Sequence, residues 1–395
     1  MCAAILLKRQ LKNEKILILE ALDRVGKKLI VTGNGRCNIT NRNIDINSYH
    51  GQSCEFCYPA LSQFGSDFTE KFFDRIGIPF IDGENGKVYP YSLQASSVVD
   101  ALRLELDELG IEVKTGICAS KINTGENCHK IIADNEELTA KNIIVATGGV
   151  AGGKKLGSFG IGYKLLESLG HTVINPVASL VQLKTDIVPI KSLCGIKLNA
   201  TVTLYNNGVK QRSETDELLF TRYGISGPAV LQVSRGCDLA GEKFVKINFM
   251  PEFAFNEIVQ TLKNRVAALK SRSAEFFFTG LLPKMLGHAL LKKCNIKLTD
   301  SVSTLSEKHC RALAQSIYSF ELKVCGTNGM ENAQVTAGGV STNEFDNITM
   351  ESLKCKGVFA IGEVLDIDGD CGGFNLQWAW SSAAAAAQGI IGKEK

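Results

Sequence analysis

Residues 16–41, ILILEALDRVGKKLIVTGNGRCNITN, decide how the rest of the chain is read. An apolar run ends in an acid, Glu20. A basic turn follows, Gly26-Lys27-Lys28, and then a loop dense in Gly and Asn. A short run with no polar alternation suits a parallel strand buried on both faces. In a dinucleotide-binding unit such an acid ends the second strand and binds ribose hydroxyls, about 20 residues after a Gly-rich turn that holds the pyrophosphate. Counting back about 20 residues from Glu20 lands at or just before Met1. Residues 2–12, CAAILLKRQLK, with helical apolar spacing, then read as the helix whose N-terminus faces the phosphates. On this reading the first strand and its Gly loop are not within the chain. The alternative is that Glu20 is a plain surface acid after a buried strand.

Two further stretches favour the first reading. Residues 142–149, NIIVATGG, form an apolar strand ending in small residues, which let a backbone approach a flat ligand or a phosphate. Residues 357–377, GVFAIGEVLDIDGDCGGFNLQ, repeat the pattern: a strand ending in Gly-Glu, a Gly-rich loop, and a helix beginning near Phe374 or Asn375. A helix N-terminus behind Gly372-Gly373 suits an anion or an electron-rich ring edge. Each stretch alone is an ordinary strand-to-helix turn; the three in this order point to a dinucleotide.

Around them the texture alternates. Residues 98–110 read as an amphipathic helix stopped by Gly110, 111–116 as a strand, 129–149 as a hairpin feeding the strand 142–149, and 160–173 as a helix ending at Gly170. Strands alternating with helices predict an α/β fold with a parallel sheet. After about residue 180 β-branched alternation takes over, with a hairpin signal at Asn207-Gly208. Residues 254–319 turn helical, and from about 333 the α/β texture returns, closing with a helix from 374. The predicted layout is a discontinuous Rossmann-like domain, residues 1–185 and 331–395. It is interrupted by an antiparallel β-barrel-like insert, residues 186–253 and 320–330, and by a small helical insert, residues 254–319.

Composition limits the function. A net charge of +3, with basic residues scattered among acids, does not argue for a nucleic-acid partner. No apolar run reaches the roughly 18 residues of a membrane span. Thirteen Cys spread over 395 residues suggest reduced thiols in a cytoplasmic protein rather than a disulfide framework. The lone CxxC, Cys54 to Cys57, has no second pair to complete a zinc site, and the five His show no ligand spacing, so no metal is expected.

The chain resembles a family of bacterial FAD-binding flavoproteins that includes aminoacetone-oxidase-like enzymes and the flavoprotein reductase linked to bile-acid dehydroxylation. The resemblance rests on GKKLIVTGNGRCNITN, VYPYSLQASSVVDAL, IIVATGG, FTRYGISGPAVLQVS, AQVTAGGVSTNEFD and the stretch from Met350 to Ser382, and spans nearly the whole chain. It implies a two-part FAD domain with a barrel-like insert and a small helical domain. It also implies that Met1 falls inside the family's first motif, so that one strand and turn, about 15 residues, would lie upstream.

The resemblance implies roles as well. Glu20 would hold the adenosine ribose, and Gly26, Lys27 and Lys28 would lie along the cofactor. Thr32, Gly33, Gly35, Arg36, Cys37 and Asn38 would form the loop near the flavin ring. Thr147, Gly148 and Gly149 would flank the adenine-side half, and Gly362 and Glu363 would meet the ribitol and pyrophosphate. Gly372, Gly373, Phe374, Asn375, Leu376 and Gln377 would line the pyrimidine edge.

No triad or paired-carboxylate pattern marks a general base; Arg36, Cys37 and Asn38 are the catalytic candidates. Arg36 either binds an anionic group or pairs with an acid. Cys37 reads more readily as an inert packed thiol, and Trp378 and Trp380 as core anchors. The segment 222–228, RYGISGP, either caps a substrate cleft or is a plain loop. The expected function is an FAD-dependent oxidoreductase exchanging hydride or electrons with a small organic substrate, with NAD(P)H as a transient donor. The alternatives are a cofactor-free remnant or binding protein, and an RNA-modifying flavoenzyme.

Overall fold

The computed structural model of the chain describes residues 1–126, 128–134, 136–238 and 240–394. Two units divide it: Met1–Ser179 with Met330–Lys395, and Leu180–Gly329.

In the first unit the apolar run before Glu20 forms the strand Leu17–Glu20, parallel to Glu112–Thr115 and in register from Leu17 with Glu112 to Glu20 with Thr115. The connection includes the helix Ala95–Glu108, whose Val98, Val99, Leu102 and Leu106 form its buried face. Gly110, at φ 64, follows its end as a left-handed stop. A second parallel pair joins Ile143–Val145 to Val358–Ala360, so the two Gly-ended strands lie side by side.

The strand expected to run to Gly362-Glu363 ends at Ala360. Gly362 adopts φ 70 and opens a short 3₁₀ turn, Gly362–Val364, which turns Glu363 out of the strand. Helix Cys2–Gln10 packs on the closing helix Phe374–Glu394. Buried Ala383, Ala384, Ala385, Ala386 and Ala387 keep the surface of the closing helix low, which permits close helix packing.

In the second unit, six antiparallel strands close a barrel in the order Leu183–Thr185, Gly224–Ser226, Val209–Phe220, Lys197–Asn206, Lys243–Asn248 and Phe320–Thr327. Asn207 at φ 49 and Gly208 at φ 78 make the tight hairpin turn the sequence signals. Sequence texture separates a β insert from a helical one, whereas here they share one core. Ile258, Leu262, Leu290, Leu313 and Ile317 from the helices join Val245, Ile247 and Phe320 from the barrel. Each such burial contributes about 1.5–3 kcal/mol, and neither face could be covered alone. RYGISGP supplies the barrel strand Gly224–Ser226, so it is not a plain loop. A Cβ at Gly224 would stand 2.2 Å from Leu183 O, and one at Gly227 2.3 Å from Glu217 O.

Candidate functional site

The first unit gathers the Gly-ended strands, the basic turn and the start of the closing helix. Lys28, on the short helix Lys27–Ile30, places Nζ 2.7 Å from Glu363 Oε2. The other oxygen of Glu363 accepts the Thr336 N–H at 2.8 Å. Thr336 Oγ1 accepts the N–H groups of Val150 and Ala151, each at 2.9 Å. A Cβ on Gly149 would lie 2.3 Å from Thr336 Oγ1 and 2.8 Å from Glu363 Oε1, so this position requires glycine. At Gly148, with φ 68, a Cβ would meet nothing within 4 Å: here the backbone lines open space. The expected residues Lys28, Thr147, Gly148, Gly149, Gly362 and Glu363 thus form one cradle, with Thr336 at its base.

Under this cradle lies the Tyr163 hydroxyl, buried and, among the described residues, without a hydrogen-bond partner. Burial, and then the carboxylates of Glu363 and Asp366, push its pKa well up; the nearby Thr336 hydroxyl tempers this without making a hydrogen bond of ordinary geometry. An unpaired buried hydroxyl costs about 1–3 kcal/mol, so a site completed by a polar ligand or by water suits it. The residues present fit a flavin dinucleotide. They offer a cation for phosphate, a carboxylate for ribitol hydroxyls, an open glycine edge and a buried unpaired hydroxyl.

The loop after the basic turn meets the start of the closing helix. Asn41 Nδ2 donates to Gly372 O at 2.8 Å. Gly373, at φ 103, lies so close to the loop that a Cβ would be 2.4 Å from Thr40 O. Phe374 begins the helix, and Gln377 N closes its first turn on Gly373 O at 2.9 Å. The first N–H groups of a helix have no intrahelical acceptor and favour negative charge.

Several of the expected residues also have contacts within the scaffold. Gln377 is fully buried; its amide oxygen accepts from Thr40 and Thr69, and its nitrogen donates to Phe64 O and Ser381. It braces the helix, with its amide fully engaged within the protein. Asn375 spends its side chain on Gly369 and on Asp370 O. Asn38 is buried, and its oxygen accepts the Val88 N–H. Gly26, at φ 80, is pressed against Val99, where a Cβ would be 2.7 Å from Cγ1. Glu20 turns Oε1 back onto Leu22 N at 2.8 Å.

Cys37 is sealed in the core, and burial pushes its thiol up to about 12, so it supplies no thiolate at neutral pH. Arg36 is exposed and stacks on Tyr89, with Cζ 5.0 Å from the ring centroid; among the described residues no acid pairs with it. Trp378 and Trp380 are buried anchors, donating to Gly362 O and Ile39 O. Among the described residues no group of three or more His, Cys, Asp or Glu could hold a metal, and no helix is long and apolar enough to cross a membrane. Thr336, Tyr163 and His50 belong to this first unit but carry no local motif, whereas Asp370 sits in the Gly-rich loop of 357–377. Thr336, within AQVTAGGVSTNEFD, and Asp370, within the stretch from Met350 to Ser382, lie where the resemblance had marked the chain; Tyr163 and His50 do not.

A two-part α/β unit whose Gly-ended strands meet a basic turn and a helix N-terminus defines a Rossmann-like FAD-binding fold. The chain belongs to the HI0933-like family: the HI0933-like protein Rossmann domain matches residues 1–389. It is 36% identical to a 3-dehydro-bile acid delta(4,6)-reductase of Clostridium scindens, over 98% of this chain and 95% of that protein. It is 32% identical to a ribosomal RNA dihydrouridine synthase of Haemophilus influenzae, again over 98% of this chain and 95% of that protein. Among solved structures it is similar to a 3-ketosteroid-delta4-(5alpha)-dehydrogenase from Rhodococcus jostii. That likeness has 13% identity and a TM-score of 0.46, covering 99% of this chain and 94% of that one.

Proposed function

We propose that this chain is an FAD-dependent oxidoreductase that saturates a carbon–carbon double bond conjugated to a carbonyl in a small organic substrate. The observation that carries the flavin is the cradle of Lys28, Gly148, Gly149, Thr336 and Glu363 over the unpaired Tyr163 hydroxyl. The reaction class is supported by the relatives' names. Delta(4,6) reduction of a 3-dehydro steroid acid and dihydrouridine formation both saturate such a bond. A net charge of +3 favours a small substrate over RNA.

Lys28 neutralises phosphate, Glu363 accepts from ribitol hydroxyls, and Thr147 to Gly149 bring bare backbone to the cofactor. The helix N-terminus at Phe374 stabilises negative charge at the edge it faces. When bound, the flavin supplies hydride transfer. NAD(P)H is its proposed reductant, reaching it transiently.

The test is visible absorbance of purified protein supplied with FAD and freed of excess, followed by anaerobic reduction with NADH or NADPH. A retained flavin spectrum that bleaches is the expected result. Protein that retains no flavin overturns the reading and leaves a cofactor-free binding protein.

A further inference from the structure

We propose that Arg36 and Lys87 form an anion grip beside the start of the closing helix, and that it holds the carboxylate of an organic acid substrate. The inference rests on the proposed flavin-dependent reduction and narrows its substrates to those that carry a carboxylate.

The grip is built on one short strand. Lys87–Pro90 pairs antiparallel with Thr40–Asn41, with Thr40 opposite Val88 and Asn41 opposite Lys87. Side chains two apart on a strand point to the same face. Lys87 and Tyr89 therefore share one face, and the fully buried Val88 takes the other. Arg36 reaches this face from the loop before it and stacks on the Tyr89 ring, while its Nε donates to Gly33 O at 3.3 Å. The ring is itself wedged between glycines. A Cβ on Gly83 would stand 2.8 Å from Tyr89 Cε2, and one on Gly33 3.6 Å from Cε1. Two positions back along the strand, Lys87 lies against the closing helix: a Cβ on Gly372 would be 3.5 Å from Lys87 Cε. Strand residues two apart stand about 7 Å from each other, a span that two long side chains can close around one carboxylate.

Neither cation is spent within the protein. Among the described residues, neither forms an ion pair, and the two terminal nitrogens of Arg36 meet no protein acceptor. Arg36 is exposed, and beside it a Cβ on Gly35 would meet nothing within 4 Å, so the guanidinium borders open space. Lys87 is half-buried. The stack and the Nε bond fix the plane of the guanidinium in advance, so gripping an anion loses little side-chain freedom. The planar fork takes a carboxylate through two parallel hydrogen bonds, and the ammonium adds a point charge from a second direction. A carboxylate held here is tethered beside Gly372, next to the helix N-terminus to which the proposed function assigns the flavin edge. The grip orients an acid substrate there and selects against uncharged analogues, which leave both cations without a partner.

The test is isothermal titration calorimetry of FAD-loaded protein with three probes of one shape: benzoate, benzamide and phenyl phosphate. Wild type is expected to bind benzoate at least about 10-fold more tightly than benzamide. R36Q and K87Q are each expected to retain FAD and to weaken benzoate about 10- to 100-fold, with benzamide unchanged. Equal affinity of wild type for benzoate and benzamide overturns the proposal, as does wild-type benzoate affinity in either variant. A parallel loss of benzamide binding overturns it too, because the defect is then not one of charge. Tighter binding of phenyl phosphate than of benzoate overturns the carboxylate assignment. Variants that no longer retain FAD assign the two cations to the cofactor and overturn the substrate role. All of these leave flavin binding by the wild type standing, whereas wild type that retains no flavin overturns the proposed function and this inference with it.

Discussion

His171 is 3% exposed, stacks on Phe345 at 4.5 Å, and meets Glu344 Oε2 through Nδ1 at 3.0 Å and Ser352 Oγ through Nε2 at 2.9 Å. Burial alone would raise the Glu344 pKa, but hydrogen bonds from Lys354, Thr172 and His171 hold it down to about 2. Burial likewise lowers His171, against the pull of Glu344. Both groups bind fewer protons folded than unfolded, so both contributions are lost on the acid side. His171 begins to lose its share as pH falls below about 6.5, and Glu344 as pH falls from about 4.3 toward its folded value. Urea titrations should show E344Q less stable than wild type by about 2 kcal/mol at pH 7, with the gap shrinking at pH 3. An unchanged gap would mean that the carboxylate charge is not what holds this clasp. At the same scale, K28M should weaken FAD binding about 10- to 100-fold, the loss of one charge-assisted phosphate contact. Its thermal midpoint without FAD should stay near wild type, because the Lys28–Glu363 pair is partly exposed and such pairs contribute roughly 0–1 kcal/mol. Equal affinity in K28M would remove Lys28 from the cofactor site.

At the scale of elements, the approach of the 37–41 loop to the closing helix depends on Gly373. G373A should cost about 2–4 kcal/mol, from backbone collision with Thr40 O and an unfavourable φ. G35A faces open space at φ 81 and should cost only about 1–2 kcal/mol, the left-handed strain alone. Calorimetry of the two variants compares them directly, and equal losses would mean that the loop gives way instead of resisting. The reason is packing: a strand-to-helix turn can absorb a methyl group only where nothing faces it.

At the scale of the molecule, residues 180–329 are continuous and own a closed barrel and a core shared with the helices around it. Expressed alone, this piece should unfold cooperatively in urea, as circular dichroism would show; a broad transition would mean that its core is incomplete. FAD at about 100 times its Kd should stabilise the first unit by about 2.7 kcal/mol. In a calorimetric scan of the whole chain, only one of two transitions should then move.

The strands before Glu20, Gly148 and Gly362, the helix at Phe374 and the hairpin at Asn207-Gly208 were legible because each follows from neighbours in the chain: apolar runs, small residues and turn chemistry act over a few residues. So was the inert character of Cys37 and the anchoring by Trp378 and Trp380, since burial follows from residue type. Tertiary structure alone decided the rest. Gln377 and Asn38 sit inside legible motifs yet turn their amides into the scaffold. Thr336 and Tyr163 join the cradle from separate segments, and the His50–Asp370 contact spans 320 residues of the chain. Which helices cover the barrel was equally hidden, because an apolar stripe states only that a face is buried and leaves its partner unnamed. Hydrogen bonding and close packing are contacts between residues hundreds of positions apart, and they take their identity from the folded chain.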